Sequence, residues 1–186
     1  MTLFEYLATA YSLVLSFAAM RLLEGVPHAA RPGRRYWPHL VFAVCTLLSC
    51  VTTFWVFWSF RGANWTYLGF WLALANPGVH YFIACTLVPR NADSIESWHR
   101  YFASVRRRYF GALASWALLI AAMTSVLLEM PLWNPARVGQ LTIFGIATVG
   151  AFTSNERVVS GIAPLLLLLS VGIVFGLRQP GSLAGP

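Results

Sequence analysis

Residues 38–60 read PHLVFAVCTLLSCVTTFWVFWSF, twenty-three positions without one Asp, Glu, Lys or Arg. About 20 apolar residues in a helix cross the roughly 30 Å hydrocarbon core of a bilayer. In that core no water can satisfy a backbone amide, so a run of this length implies a helix that bonds its own N–H and C=O groups. Pro38 suits the first turn, where its missing N–H would have had no partner anyway. The run therefore sets the fold class as all-α, a polytopic transmembrane helical bundle.

Composition extends that reading to the whole chain. Of 186 residues 58% are hydrophobic and only 10% charged, against roughly 25% charged in water-soluble domains. We expect one integral membrane domain over 1–186 with six spans, at about 3–23, 38–60, 66–88, 109–130, 135–152 and 154–177. Thr2 with Glu5 reads as a capping box for the first, Asn134 with Pro135 as the start of the fifth, and Thr153 with Glu156 as a cap for the sixth. The start does not read as a signal peptide, because its first residues offer Glu5 where positive charge is needed. Before span four, Asp93 and Glu96 form a further capping signal. Ile95, Trp98, Phe102, Val105 and Tyr109 then recur at helical spacing, which predicts an amphipathic helix on the cytoplasmic surface that runs on into the span. In span five the apolar stretch 141–152 is short for a crossing, so five spans plus a re-entrant segment is the alternative.

The 13 basic residues are all Arg and give a net charge of +7. They lie in connections rather than on one amphipathic face, which points to topology and away from nucleic acid. The first, third and fifth connections hold ten Arg and the remaining segments three, Arg61, Arg137 and Arg178. Positive charge favours the cytoplasmic side, so both termini are expected outside the cytoplasm of a bacterial inner membrane. Trp55, Trp58, Phe60, Trp65, Tyr67 and Trp71 then form an outer aromatic belt, and Tyr36, Trp37, Trp98 and Tyr101 an inner one. Arg106, Arg107 and Arg108 fall at the phosphate level and are expected to contact anionic lipid headgroups. Glu5, Arg61, Glu129 and Arg137 fall at the outer boundary, where surface ion pairing is expected.

Polar residues within the spans mark candidate sites. Asn76-Pro77-Gly78 with His80 predicts a kinked or broken third span, with freed carbonyls and an imidazole near mid-membrane. Thr46, Ser49, Cys50 and Thr53 make a polar stripe on span two able to face His80 across a cavity. Helix packing and hydroxyls bonded to their own backbone are the plainer account of the same residues. Small-residue ridges recur at Ala8-Ser12-Ser16, Ala117-Ala121-Ser125 and Ala147-Ala151. Gly172 and Gly176 form a G-x-x-x-G in span six that suits helix packing or an oligomer contact. No catalytic residue, cofactor or metal is expected. His28, His39, His80 and His99 fall on different segments without ligand spacing, and Cys45, Cys50 and Cys85 read as small core thiols.

Phe4-Glu5-Tyr6, Arg35-Tyr36-Trp37-Pro38-His39, Phe54-Trp55 with Phe57-Trp58, Trp65-Thr66, and Tyr101-Phe102 before Arg106 to Arg108 form a pattern over the first two thirds of the chain. It resembles a group of small bacterial multi-spanning membrane proteins that has no assigned activity. The resemblance implies bacterial origin and this topology, and carries over no functional residue; Asn76 to Gly78 and His80 are not part of it. Two functions are expected. The first is a non-catalytic subunit or scaffold of a membrane assembly, as a homo-oligomer or with other membrane subunits. The alternative is an oligomeric channel or transporter for an ion or small solute, with permeation at the third span.

Overall fold

At the chain's start the Glu5 N–H donates to Thr2 Oγ1 at 3.3 Å and the Thr2 N–H to the Glu5 carboxylate at 2.8 Å, so the capping box forms. The helix that follows, α1, covers Leu3–Ala29 in a computed structural model that describes residues 2–176. The other helices are α2 Trp37–Phe57, α3 Tyr67–Leu87, α4 Trp98–Leu128, α5 Pro135–Phe152 and α6 Glu156–Gly176, with single 3₁₀ turns at Trp58–Phe60 and Ala92–Ser94. No strand occurs among the described residues. Leu177, Arg178 and the C-terminus lie outside them.

Among the described residues, five helical segments are long and apolar enough to cross a membrane: Leu3–Ala29, Trp37–Phe60, Tyr67–Ser94, Trp98–Leu128 and Glu156–Gly176. The chain is thus a multi-pass, membrane-embedded protein. Helix α5 has 18 residues and falls short in apolarity, because Arg137 and Gln140 occupy its first two turns.

Several boundaries differ from the sequence expectation. Helix α1 runs six residues beyond position 23, through Pro27. Gly25 and Ala29 are buried there, Gly25 against Val88, and Arg21 Nε donates to the Val88 carbonyl at 3.0 Å, so the extra turns pack on the end of α3. As expected, the amphipathic segment before span four runs on into it, as the first part of a single 31-residue helix, about 46 Å long. Its apolar residues Trp98, Phe102 and Tyr109 are buried against His39 and Phe42 of α2. Asp93 and Glu96 do not cap it. Ser97 does, accepting from the Arg100 N–H, while Asp93 takes His28 at 2.9 Å and Arg31 at 3.0 Å. Likewise the α6 start is capped by Asn155, whose side chain accepts the Arg157 N–H at 2.9 Å, in place of Thr153.

The helices form an arc in the order α5, α4, α3, α1, α2, α6, with α2 also touching α3 and α4 on the inside. Helix α5 packs mainly on α4 and α6 mainly on α2, so the two arms that would close the arc meet only weakly although they are consecutive in the chain. Close approach occurs at glycines, where Gly69 faces Leu127 and Gly150 faces the Phe110 ring. Of the ridge residues, Ala117 and Ala147 are buried, whereas Ser16 and Ser125 are exposed. One end of the bundle gathers Phe4, Phe57, Phe60 and Trp65 near the N-terminus. The opposite, arginine-rich end is stitched by Trp98 Nε1 to the His28 carbonyl at 3.2 Å and by His99 to Glu156 at 3.0 Å.

Candidate functional site: a cavity in the helical arc

Helix α3 carries His80 on its buried face, with Ala73, Asn76, Pro77 and Ile83. The helix continues through Pro77, so of the kinked or broken span expected from the sequence the break does not form. Proline removes one N–H, which leaves the Ala73 carbonyl without its usual partner, and the surrounding helices hold the rest of the ladder together. No unwound carbonyls are presented here. The polar chemistry comes from side chains instead.

His80 Nδ1 lies 3.1 Å from the Asn76 carbonyl oxygen, which only accepts, so in the neutral ring Nδ1 carries the proton. Nε2 is then the acceptor, and it meets the Ser49 hydroxyl at 3.0 Å and the Thr53 hydroxyl at 3.4 Å, both from α2. The ring stands edge-on to Trp116 of α4, with centroids 5.3 Å apart. Behind it, Tyr11 of α1 donates to Asn76 Oδ1 at 2.9 Å, while Asn76 Nδ2 has no partner among the described residues. One buried polar network thus joins α1, α2 and α3.

This network opens onto a cavity of about 530 Å³, within the range of small-molecule sites. It is partly open to the surroundings, a groove in the helical arc and not an enclosed void. Thr46, Ser49, Thr53 and His80 line it, with Trp116, Ile120 and Met123 from α4. Asn134 to Ala136, Gly139, Gln140 and Ile143 of α5 face Leu166, Ser170, Ile173 and Gly176 of α6 across it. These α5 and α6 residues belong to the ends remote from their mutual connection, so the cavity occupies the part of the bundle nearer the N-terminal end. Toward the arginine-rich end it stops at Tyr109, which belongs to a cluster of buried rings with Phe42, Phe102 and Phe110.

The expected site therefore divides. Ser49 and Thr53 reach His80 in the cavity wall, and Thr46 lines it while its own hydroxyl bonds back to the Phe42 carbonyl at 2.8 Å. Cys50 is buried outside the lining, Asn76 stands behind His80, Pro77 is buried and Gly78 faces away from the bundle with open space beside it. Gly172 and Gly176 also have open space where a side chain would stand, so neither packs on a neighbouring helix. Of the three arginines, Arg107 and Arg108 are exposed and Arg106 is half-buried.

The largest departure is Arg137. It is buried, not paired at the surface: its guanidinium donates to the Ala121 and Met130 carbonyls, to Ser125 Oγ at 2.7 Å and to Gln140 Oε1 at 3.1 Å. No carboxylate lies within ion-pair distance of it among the described residues. Sequence reading also passed over Tyr11 and Gln140. The signal for Tyr11 was its place in the α1 stripe Leu7, Tyr11, Leu15, Ala18, Leu22, where a buried hydroxyl must find a partner. For Gln140 it was the i, i+3 spacing from Arg137.

Comparison with protein-family models, with curated proteins and with solved structures finds no match. What the arrangement can do is thus argued from the cavity alone.

Proposed function

We propose that the protein binds a small molecule within the membrane, closer to the passage function than to a subunit that only holds others together. One observation carries this: the cavity of about 530 Å³ that reaches the Ser49–His80 pair. The ring cluster at Tyr109 supports a site that is closed toward the arginine-rich end, so transport, if the ligand is carried across, requires those rings to move. Buried hydroxyls and one imidazole in an otherwise apolar wall suit a solute with few polar groups.

Thiol reactivity tests the reading. With Cys45, Cys50 and Cys85 replaced by Ala, Ser49→Cys and Thr53→Cys are expected to react with a small water-soluble methanethiosulfonate on the order of ten-fold faster than Ala73→Cys, because only an accessible thiolate reacts. Ala73 is fully buried and lies outside the cavity. Equal, slow reaction at all three positions would overturn the proposal.

Six crossings, with both termini outside the cytoplasm of a bacterial inner membrane, complete it. Support for the α5 crossing comes from depth: Arg137 bonds Ala121 and Ser125 near the end of α4, whereas Gly150 meets Phe110, so α5 follows α4 back for most of its length. Arg107 and Phe152 line one small hollow, and Glu156 pairs with His99, which sets the α5–α6 connection at the arginine-rich end. The Arg distribution, the absence of Lys and the resemblance described above support the orientation and the bacterial origin. An impermeant maleimide is expected to label Ser154→Cys in inverted vesicles only and Ala63→Cys in intact cells only. Labelling of both from one side would mean that α5 does not cross.

A further inference from the structure

Arg137 is only 3% exposed, yet among the described residues it has no acidic partner and its Nε has no hydrogen-bond partner. An uncompensated charge in such a place is costly, and carbonyl and hydroxyl dipoles offset it only in part. Its positive potential bears on the cavity through Gln140. The guanidinium holds Gln140 Oε1, which leaves the amide nitrogen, bonded by no described residue, as the donor presented to the cavity that Gln140 lines. No Asp or Glu lines the cavity. The end of the cavity at Gln140 thus offers a donor and no carboxylate, which favours an anion over a cation.

Beyond that end the wall is mainly apolar, with Leu113, Ile120, Met123, Ile143 and Leu166, and the polar groups on it, Ser49, Thr53 and His80, bond one another. From Ala121, level with Arg137, to Tyr109 at the closed end is about 18 Å along α4. A volume of about 530 Å³ drawn out over that length is a slot and not a round chamber. Access is lateral as well. Ile173 and Gly176 line the slot and are exposed, at the side where α5 and α6 fail to close the arc.

Resting on the ligand-binding reading above, we infer that the slot takes an anionic amphiphile from the surrounding bilayer, its carboxylate or phosphoester at Gln140 beside Arg137 and its alkyl chain running toward Trp116 and Tyr109. The free single-chain acid and an anionic two-chain lipid share this chemistry. A water-soluble anion does not fit it, because it leaves the apolar slot unfilled.

Trp116 reports occupancy directly. In phosphatidylcholine nanodiscs holding the full chain, brominated laurate is expected to quench a saturable part of the fluorescence that disappears in Trp116→Phe. The brominated alcohol of the same chain length is expected to need about ten-fold more for half-saturation, the loss of one charge-assisted hydrogen bond. Gln140→Leu is expected to abolish that preference, as is Arg137→Met; Gln140→Leu keeps the test intact if Arg137→Met does not fold. Replacing the laurate by brominated phosphatidylglycerol separates the two sources: quenching through Trp116 there identifies a bilayer lipid as ligand, and quenching by laurate alone a single-chain acid. Equal binding of acid and alcohol, or quenching that persists in Trp116→Phe, overturns the inference. Reactive Ser49→Cys with no Trp116 quenching sinks this inference while leaving the cavity reading standing, and an unreactive Ser49→Cys with no quenching sinks both.

Discussion

Gly150→Leu is expected to destabilise the chain by about 3 kcal/mol, seen as a lowered melting temperature in mild detergent. A Cβ at position 150 would stand 2.7 Å from the Phe110 ring. That ring has nowhere to go: it is fully buried and held by Phe42 at 5.4 Å and Tyr109 at 5.0 Å between centroids. Relief requires α5 to lift off α4, which also disturbs the Arg137 hydrogen bonds to Ala121 and Ser125 along the same contact. Gly145→Leu supplies the control, since nothing lies near a Cβ there, and its effect is expected to stay within about 0.5 kcal/mol. Similar melting of the two variants would show that α5 is not seated on α4 as described.

Tyr11 and Asn76 are expected to be energetically coupled. Asn76→Leu strands the buried Tyr11 hydroxyl, and Tyr11→Phe strands the Asn76 amide oxygen, each at a cost of about 1–2 kcal/mol. Combined, the two changes remove donor and acceptor together, so the double variant is expected to be no less stable than the worse single one. The Phe ring retains the stacking on Phe57, whose centroid is 4.1 Å from that of Tyr11. Strictly additive costs, measured as unfolding free energies in one detergent, would mean that the 2.9 Å contact contributes nothing. The outcome bears on function because this pair holds α3 against α1 and so sets His80 toward α2 and the cavity.

Packing and function meet in the unclosed arc. A six-helix bundle with α5 and α6 in full contact would have no room beside His80, and Ser49 and Thr53 would be ordinary packing hydroxyls. With the arms splayed, the same residues become the wall of a slot. Gln140, held from behind by Arg137, stands at one end of it and the rings around Tyr109 at the other.

Much of this was legible in the residues. The charge-free run 38–60, the overall deficit of charge and the caps at Thr2 and Asn134 determined membrane-spanning helices and several of their starts, because a hydrocarbon solvent and unsatisfied helix ends impose strong local requirements. The stripe on α2 and His80 were also found, since polar atoms at helical spacing in an apolar span have few alternatives to each other. Only tertiary structure decided the rest. Pro77 leaves α3 continuous and the segment before span four packs on α2, because neighbouring helices, not the local sequence, supply the missing partners and the covering surface. Arg137 was read as a surface ion pair because its position is near a helix end, whereas its partners are carbonyls of another helix, invisible to spacing rules. The cavity itself has no sequence signature, being the space left where two helices consecutive in the chain pack on different neighbours.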